Sequence, residues 1–155
     1  RDIELRLRDF LGIEKITWLG EGIEGDDTDG HVDDLSRFVA ADTVVTMVEP
    51  NPTDPNHTPL QANREQLGQA FNVIELPMPE RVEIDGQRLP ASYANFYISN
   101  AHVIVPTYRD ANDERALGLL REAFPGRTVT GLDSMDLIWG LGSFHCLSQQ
   151  EPAGN

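Results

Sequence analysis

Between Glu21 and Asp34 the chain reads Glu-Gly-Ile-Glu-Gly-Asp-Asp-Thr-Asp-Gly-His-Val-Asp-Asp: seven carboxylates in fourteen residues, one histidine, and no Lys or Arg. A charge run is commonly a solvated face, but three features favour a site. Gly22, Gly25 and Gly30 let the backbone turn tightly and approach a ligand closely. The apolar pairs Phe38-Val39 and Val44-Val45 that follow mark the stretch as a loop feeding buried strands. His31 and Asp33 stand two apart, so on an extended backbone an imidazole and a carboxylate point to the same side. Such a stretch suits a cationic ligand on which a proton must also be moved.

The single cysteine, Cys146, lies far along the chain after Gly140-Leu141-Gly142-Ser143, where glycines, Gly142 among them, let a substrate lie close to the backbone of a nucleophile. A Cys, a His and an acid arriving from separate segments are the ingredients of thiol nucleophilic catalysis. Thiolate attacks, not thiol, so the site must lower the Cys pKa or gain positive charge nearby. A guanidinium substrate brings that charge itself. Loop carboxylates, Asp33 first and Asp27 beside it, would hold the cation through paired N–H···O⁻ contacts and set its planar carbon before the sulfur. His31 would give a proton to the departing amine and later take one from water. Blander readings stand beside these: an ion pair for His31, packing for a cysteine on a strand, a turn cap for Asn95. Asp26, Asp27, Asp29 and His31 could attract a hard cation. Their spacing matches no EF-hand loop, and one His without a nearby Cys suits zinc poorly. Neither metal nor cofactor is expected.

The elements that would position these residues follow from periodicity. Ile3, Leu7, Phe10 and Leu11 predict a helix stopped by Gly12. Ile13–Leu19 reads as a strand leading into the acidic loop. Leu35–Val39 and Thr43–Val48 read as strands about an Ala41-Asp42 turn. Glu49–Pro59, with four prolines, reads as a loop. A helix follows with Leu60, Arg64, Leu67 and Phe71 on one face, then a buried strand at Val73–Leu76. Arg81–Leu89 carries the Asp85-Gly86 hairpin signal. The order then repeats: strands at Ala94–Ile98 and His102–Val105, a helix with Ala116, Leu117, Leu120 and Phe124, and a strand at Thr128–Gly131. A third copy is expected to begin at Phe144-His145-Cys146-Leu147. This is a ββαβ unit seen about twice and begun a third time. Units that cannot bury their faces alone pack around an axis, which would bring His31, Asn95 and Cys146 together at its centre.

Composition bounds the partners. The 155 residues carry a formal net charge of −14, with 39% hydrophobic and 25% charged residues. That describes a globular chain of one domain's length and argues against nucleic acid or an anionic membrane as partner. No apolar run approaches the ~18 residues of a membrane span, and no signal peptide opens the chain, so a cytoplasmic protein is the expectation. A single cysteine allows neither an internal disulfide framework nor a cysteine-based structural zinc site.

Three stretches resemble the agmatine deiminase and bacterial peptidylarginine deiminase family. They are Glu24-Gly25-Asp26-Asp27-Thr28-Asp29-Gly30-His31-Val32-Asp33-Asp34 with Arg37-Phe38-Val39; Tyr93-Ala94-Asn95-Phe96-Tyr97-Ile98; and Phe144-His145-Cys146-Leu147-Ser148-Gln149-Gln150. They run in the family's order over nearly the whole chain, and the first and last are highly specific. The chain departs from the family in having Gly140-Leu141-Gly142-Ser143-Phe144 where much of it has a run of glycines. The resemblance implies a pentein fold, a five-bladed α/β propeller of ββαβ units of which this chain holds about two and a part. It implies that Cys146 forms a covalent amidino-cysteine intermediate, that His31 is the acid/base, that Asp33 binds the guanidinium, and that Asn95 lies at the active site in contact with substrate. It further implies that residues 1–155 are the C-terminal portion of one catalytic domain. The absent N-terminal half would supply a second guanidinium-binding Asp and a Glu partner for the histidine. Family members commonly pair as homodimers. The expected reaction is hydrolysis of agmatine to N-carbamoylputrescine and ammonia, toward putrescine. A peptidylarginine or free-arginine deiminase is the neighbouring alternative, and a non-catalytic acidic domain that binds cations is the alternative of another class.

Overall fold

The first repeat begins with β1 (Ser36–Ala40), which pairs antiparallel with β2 (Thr43–Val48) around the Ala41-Asp42 turn. The chain crosses over through α2 (His57–Leu67) and returns as β3 (Asn72–Pro77), parallel to β2 from Thr43↔Asn72 to Val48↔Pro77. These coordinates are a computed structural model that describes residues 2–28 and 30–151, so Asp29 lies outside the described residues. Val44, Val45, Thr46 and Met47 of β2 are all buried. The central strand of a unit with a crossover helix is covered on both faces, so its sequence is continuous rather than alternating. Helix α2 turns Leu60, Asn63 and Leu67 inward at spacings of three and four.

The second repeat has the same order. Strand β6 (Tyr97–Ile98) pairs antiparallel with β7 (His102–Thr107), α3 (Asp113–Ala123) crosses over, and β8 (Thr128–Asp133) runs parallel to β7 from His102↔Thr128 to Thr107↔Asp133. Between the repeats lies a hairpin of β4 (Glu83–Ile84) and β5 (Gln87–Arg88). Its Asp85 and Gly86 have φ of 52° and 79°, the pair of positive φ values that a two-residue primed turn requires. The hairpin anchors the acidic loop. Arg88, buried, donates to both oxygens of Asp54 at 2.8 and 3.0 Å and to Glu24 at 3.0 Å. Gly25 (φ 99°) lies so close to the hairpin that a Cβ there would meet the Arg88 carbonyl oxygen at 2.6 Å.

An N-terminal helix, α1 (Asp2–Leu11), ends at Gly12 with φ 66°, as its apolar spacing predicts. None of its residues is buried, and Phe10 is 77% exposed. Among the described residues no helix is long and apolar enough to cross a membrane.

Four sequence expectations need correction. Ile13–Leu19 forms no strand. A strand needs a neighbouring ladder, and this segment is held instead by side chains of α2: Asn63 accepts from the Gly20 N–H at 2.7 Å and Gln66 donates to the Trp18 carbonyl. The proline-rich loop ends at Asn56, because α2 starts at His57 and takes Pro59 into its first turn, where no intrahelical N–H is needed. The expected strand at Ala94–Ile98 is only Tyr97–Ile98, since the chain turns at Tyr93-Ala94. And Phe144–Leu147 is a turn rather than a strand: the Leu147 N–H donates to the Ser143 carbonyl at 3.1 Å and the Ser148 N–H to the His145 carbonyl at 3.0 Å.

Candidate active site

Asn95 sits where the end of the acidic loop meets the turn that carries Cys146. The turn before β6 is bolted in place from below. The Ser92 hydroxyl donates to the Asp34 carbonyl at 2.8 Å, the Tyr108 hydroxyl donates to the Ser92 carbonyl at 3.2 Å, and the Tyr93 hydroxyl donates to Asp113 at the start of α3 at 2.8 Å. Every residue from Ala91 to Phe96 is buried, Asn95 with 1% exposure. The Asn95 carbonyl oxygen Oδ1 accepts the backbone N–H groups of Ser143, His145 and Cys146 at 3.1, 3.0 and 3.3 Å. Its Nδ2 lies 2.9 Å from Cys146 Sγ, 2.7 Å from Asp34 Oδ1 and 3.3 Å from Asp33 Oδ2. One buried amide thus joins the cysteine turn to the end of the acidic loop.

Asp33 is the second meeting point. Its Oδ2 lies 3.3 Å from Cys146 Sγ and 2.6 Å from His145 Nδ1. Both contacts come from the same turn because residues i and i+1 of a helical turn lie ~100° apart, not on opposite faces as on a strand. Gly142 closes the turn over the sulfur, and a Cβ there would fall 2.8 Å from Cys146 Sγ. Cys146 itself is exposed and can receive a substrate. Beside it a groove of about 470 Å³ is lined by Asp33, His145 and Arg37 together with Val32, Phe38 and Phe71.

Two adjacent carboxyls have opposite electrostatics. Burial pushes Asp33 up, but hydrogen bonds from His145 and Cys146 outweigh it and leave the carboxyl below its ordinary value. Asp34, 1% exposed, is pushed up to about 7 by burial, helped by the charges of Asp33 and Asp26 and opposed by the Asn95 hydrogen bond. Its Oδ2 is buried without a partner, an arrangement compatible with a neutral carboxyl near pH 7. Burial also raises the Cys146 thiol. The Asn95 contact works against that rise, and Asp33 adds to it. Arg37 stacks over Phe96 at 4.8 Å and donates to the carbonyls of Ala94 and Phe96; burial lowers its pKa against the opposing charges of Asp33 and Cys146.

His31 is less simply placed. Val32–Asp34 is a single 3₁₀ turn that follows it, so the strand alternation expected for His31 and Asp33 does not apply. The His31 ring is half exposed, with Nδ1 3.4 Å from Asp26 Oδ1. Among the described residues no hydrogen bond joins it to Asp33 or Cys146. Asp26 in turn accepts the His31 N–H at 2.6 Å and the Thr28 N–H and hydroxyl at 3.0 and 2.9 Å; burial raises its carboxyl, but these bonds win and hold it low. Asp27 is exposed in the bend of the loop. Donor atoms of Asp26, His31 and Asp34, and separately of Asp33, Asp34 and Cys146, lie within 4.8 Å of one another. The first group could attract a cation, though Asp26 is already occupied by three donors.

The structure therefore brings Cys146, Asp33, Asn95 and Gly142 together, leaves His31 at the rim and keeps Asp27 in solvent. Sequence reasoning missed His145, Asp34 and Arg37. Reading Phe144–Leu147 as a strand turned His145 away from the site; the small residues Gly142-Ser143 just before it were the turn signal that could have placed it.

The family model for Porphyromonas-type peptidyl-arginine deiminase matches residues 1–152. A Legionella pneumophila protein named "Putative agmatine deiminase" is 37% identical over 98% of this chain and 46% of its own length. A variant of C. jejuni agmatine deiminase, solved with substrate bound, superposes with a TM-score of 0.90 at 37% identity over 93% of this chain and 44% of that one. An amidinotransferase from Microseira wollei, 19% identical, covers 93% of this chain and 36% of its own with a TM-score of 0.54, which shows a shared fold alone. The chain spans about half the length of the curated relatives it matches.

Proposed function

Because the chain belongs to the Porphyromonas-type peptidyl-arginine deiminase family, we propose that it supplies the nucleophile-bearing part of a guanidine hydrolase, with agmatine as substrate. Its ββαβ units are those of the pentein fold, and in this reading residues 1–155 are the C-terminal portion of a single catalytic domain. The observation that carries the reading is the 3.3 Å contact between Cys146 Sγ and Asp33 Oδ2. A carboxylate held ionised against a thiol is poorly suited to making a resting thiolate, since its charge opposes a second one. It is well suited to a cation. A guanidinium whose N–H groups bond Asp33 displaces the thiol from that oxygen, places its carbon beside the sulfur and supplies the positive charge that favours thiolate.

The displaced thiol gives its proton to solvent water, and the thiolate then adds to the guanidinium carbon. His31 gives a proton to the amine, and the C–N bond breaks with loss of ammonia. Water, deprotonated by the same histidine, adds to the amidino-cysteine. The C–S bond breaks to release N-carbamoylputrescine and return the thiol. His145, bonded to Asp33, fixes the carboxylate that the substrate meets. The acidic net charge of the chain draws a small cationic substrate toward the groove. In this reading the enzyme works in the cytoplasm without a cofactor, nucleic acid or membrane.

Ammonia release measured on the complete protein with agmatine, free arginine and a peptide ending in arginine tests the reading. Agmatine should be turned over far faster than the other two. Preference for arginine or the peptide moves the substrate to the neighbouring alternative. Release from none of the three overturns the reading, and binding of agmatine without turnover makes the chain a cation-binding domain.

A further inference from the structure

We propose that Asn95 is a catalytic residue, not a substrate ligand: through one amide it holds the cysteine turn and donates a hydrogen bond to the Cys146 sulfur. The proposal rests on Cys146 being the nucleophile of the hydrolase above. Its geometry is independent of the substrate's identity.

The two ends of the Asn95 amide are distinguished by what surrounds them. Oδ1 faces three backbone N–H groups, those of Ser143, His145 and Cys146. Nδ2 faces only acceptors: Asp34 Oδ1 at 2.7 Å, Cys146 Sγ at 2.9 Å and, more distantly, Asp33 Oδ2 at 3.3 Å. Rotating the amide by half a turn would set a carbonyl against a carboxyl and a sulfur, and an NH₂ against three donors, so the orientation is fixed by its surroundings. Its two protons match its two nearer acceptors, Asp34 and Cys146. An amide 1% exposed, with one of its protons on the sulfur, has no free edge to offer a guanidinium.

The donor to sulfur matters because burial and the Asp33 charge work against a thiolate, which the Ser143 backbone hydrogen bond and the Arg37 charge favour alongside Asn95. Asp33 lies 3.3 Å away, and Asp34 shares the Asn95 amide. His145 is engaged with Asp33, and Arg37, the cation of β1, is engaged with two carbonyls. Asn95 is the side chain whose contact with Cys146 favours the thiolate. Asp34 Oδ1, held 2.7 Å from Nδ2, acts as a positioning group for that amide.

The test uses the complete protein and the pH dependence of Cys146 alkylation by iodoacetamide, followed by mass spectrometry of the Cys146 peptide. No guanidine is needed. Asn95→Asp keeps an acceptor for the turn and removes the N–H donor; Asn95→Ala removes both. In each folded variant alkylation at neutral pH should slow about tenfold or more, with its midpoint moved to higher pH. kcat for ammonia release should fall while the KM for agmatine changes little. An unchanged alkylation profile in a folded variant overturns the proposal, as does a loss confined to KM, which would make Asn95 a substrate ligand. If both variants unfold, the wild type decides: the Asn95 side-chain amide resonances should titrate with the midpoint of Cys146 alkylation, and independent titration overturns the assignment. A shifted alkylation profile in a protein that releases no ammonia from any guanidine keeps this inference and removes the deiminase reading.

Discussion

At the head of the first ββαβ unit His31 and Val32 are exposed and Asp33 is half-buried, whereas at the head of the second every residue from Ser92 to Phe96 is buried. The two stretches occupy the same place in their repeats. The first follows a glycine-rich loop and closes into one 3₁₀ turn, so its side chains radiate toward solvent and the groove. The second is gripped from three directions by Tyr93, Tyr108 and Ser92, so its asparagine points into the protein and meets the cysteine turn from beneath. A repeated unit has thus been given two roles: one head faces the substrate and the other is the floor on which the nucleophile stands.

The largest test of that division is at the residue where both heads meet. Cys146→Ala should remove turnover altogether with little loss of stability, and wild type quenched during turnover should carry an adduct on the Cys146 peptide. An active alanine variant, or an adduct elsewhere, dissolves the comparison. Next, Phe96→Ala should cost about 3–5 kcal/mol in chemical denaturation, because its ring packs edge-on against Phe124 at 5.8 Å and beneath Arg37. Val32→Ala in the other head should cost no more than about 0.5 kcal/mol. Equal costs would mean that the first head is also floor.

Asp34 gives a pH-dependent version. A carboxyl whose folded pKa lies above its unfolded value stabilises the fold while protonated and loses that contribution as pH rises. The wild type should therefore lose stability between about pH 4 and pH 7 by about 3 kcal/mol from this group, and Asp34→Asn should flatten that slope. Denaturation midpoints of the two proteins across that range measure it; parallel curves would place Asp34 among ordinary ionised carboxylates. Smallest is His145→Gln. Losing the hydrogen-bond partner of Asp33 should reduce kcat/KM for agmatine about tenfold while leaving stability within about 1 kcal/mol. A larger loss than from His31→Gln would move the acid/base role to His145.

Where an element's signal was local, the sequence disclosed it. The hairpin at Asp85-Gly86, the central strands β2 and β7 and the inward face of α3 follow from turn chemistry and periodicity within a dozen residues. The face read for α2 holds only at Leu60 and Leu67: Asn63 is buried, Arg64 is exposed and Phe71 lies beyond the helix end. Ile13–Leu19 and Phe144–Leu147 have strand-like composition but no ladder beside them, and pairing is a property of the neighbour rather than of the segment. The same limit governs the site. Cys146, Asp33 and Gly142 could be chosen by chemical type. The raised pKa of Asp34 arises from burial and from Asp33, Asp26 and Asn95, and the hold of Asn95 on the cysteine turn arises from a segment some fifty residues away; neither is encoded nearby. His145 was lost to a wrong backbone conformation, which carries a wrong side-chain direction with it.

The contacts that bind Asn95 to the cysteine turn span 48 to 51 residues, and those from Asp33 to His145 and Cys146 span 112 and 113. The hairpins close over a handful of residues and each crossover over fewer than thirty, from Thr43 to Asn72 and from His102 to Thr128. Contacts of high sequence separation require the longest loops to close, so they form late as the chain folds and open early when it fluctuates. The reactive geometry is thus the last part of this molecule to ripen and the first to loosen. In native-state hydrogen exchange the amides of Ser143, His145 and Cys146 belong to a lower-energy opening than those of β7, and warming should dismantle the chemistry while the sheets still stand.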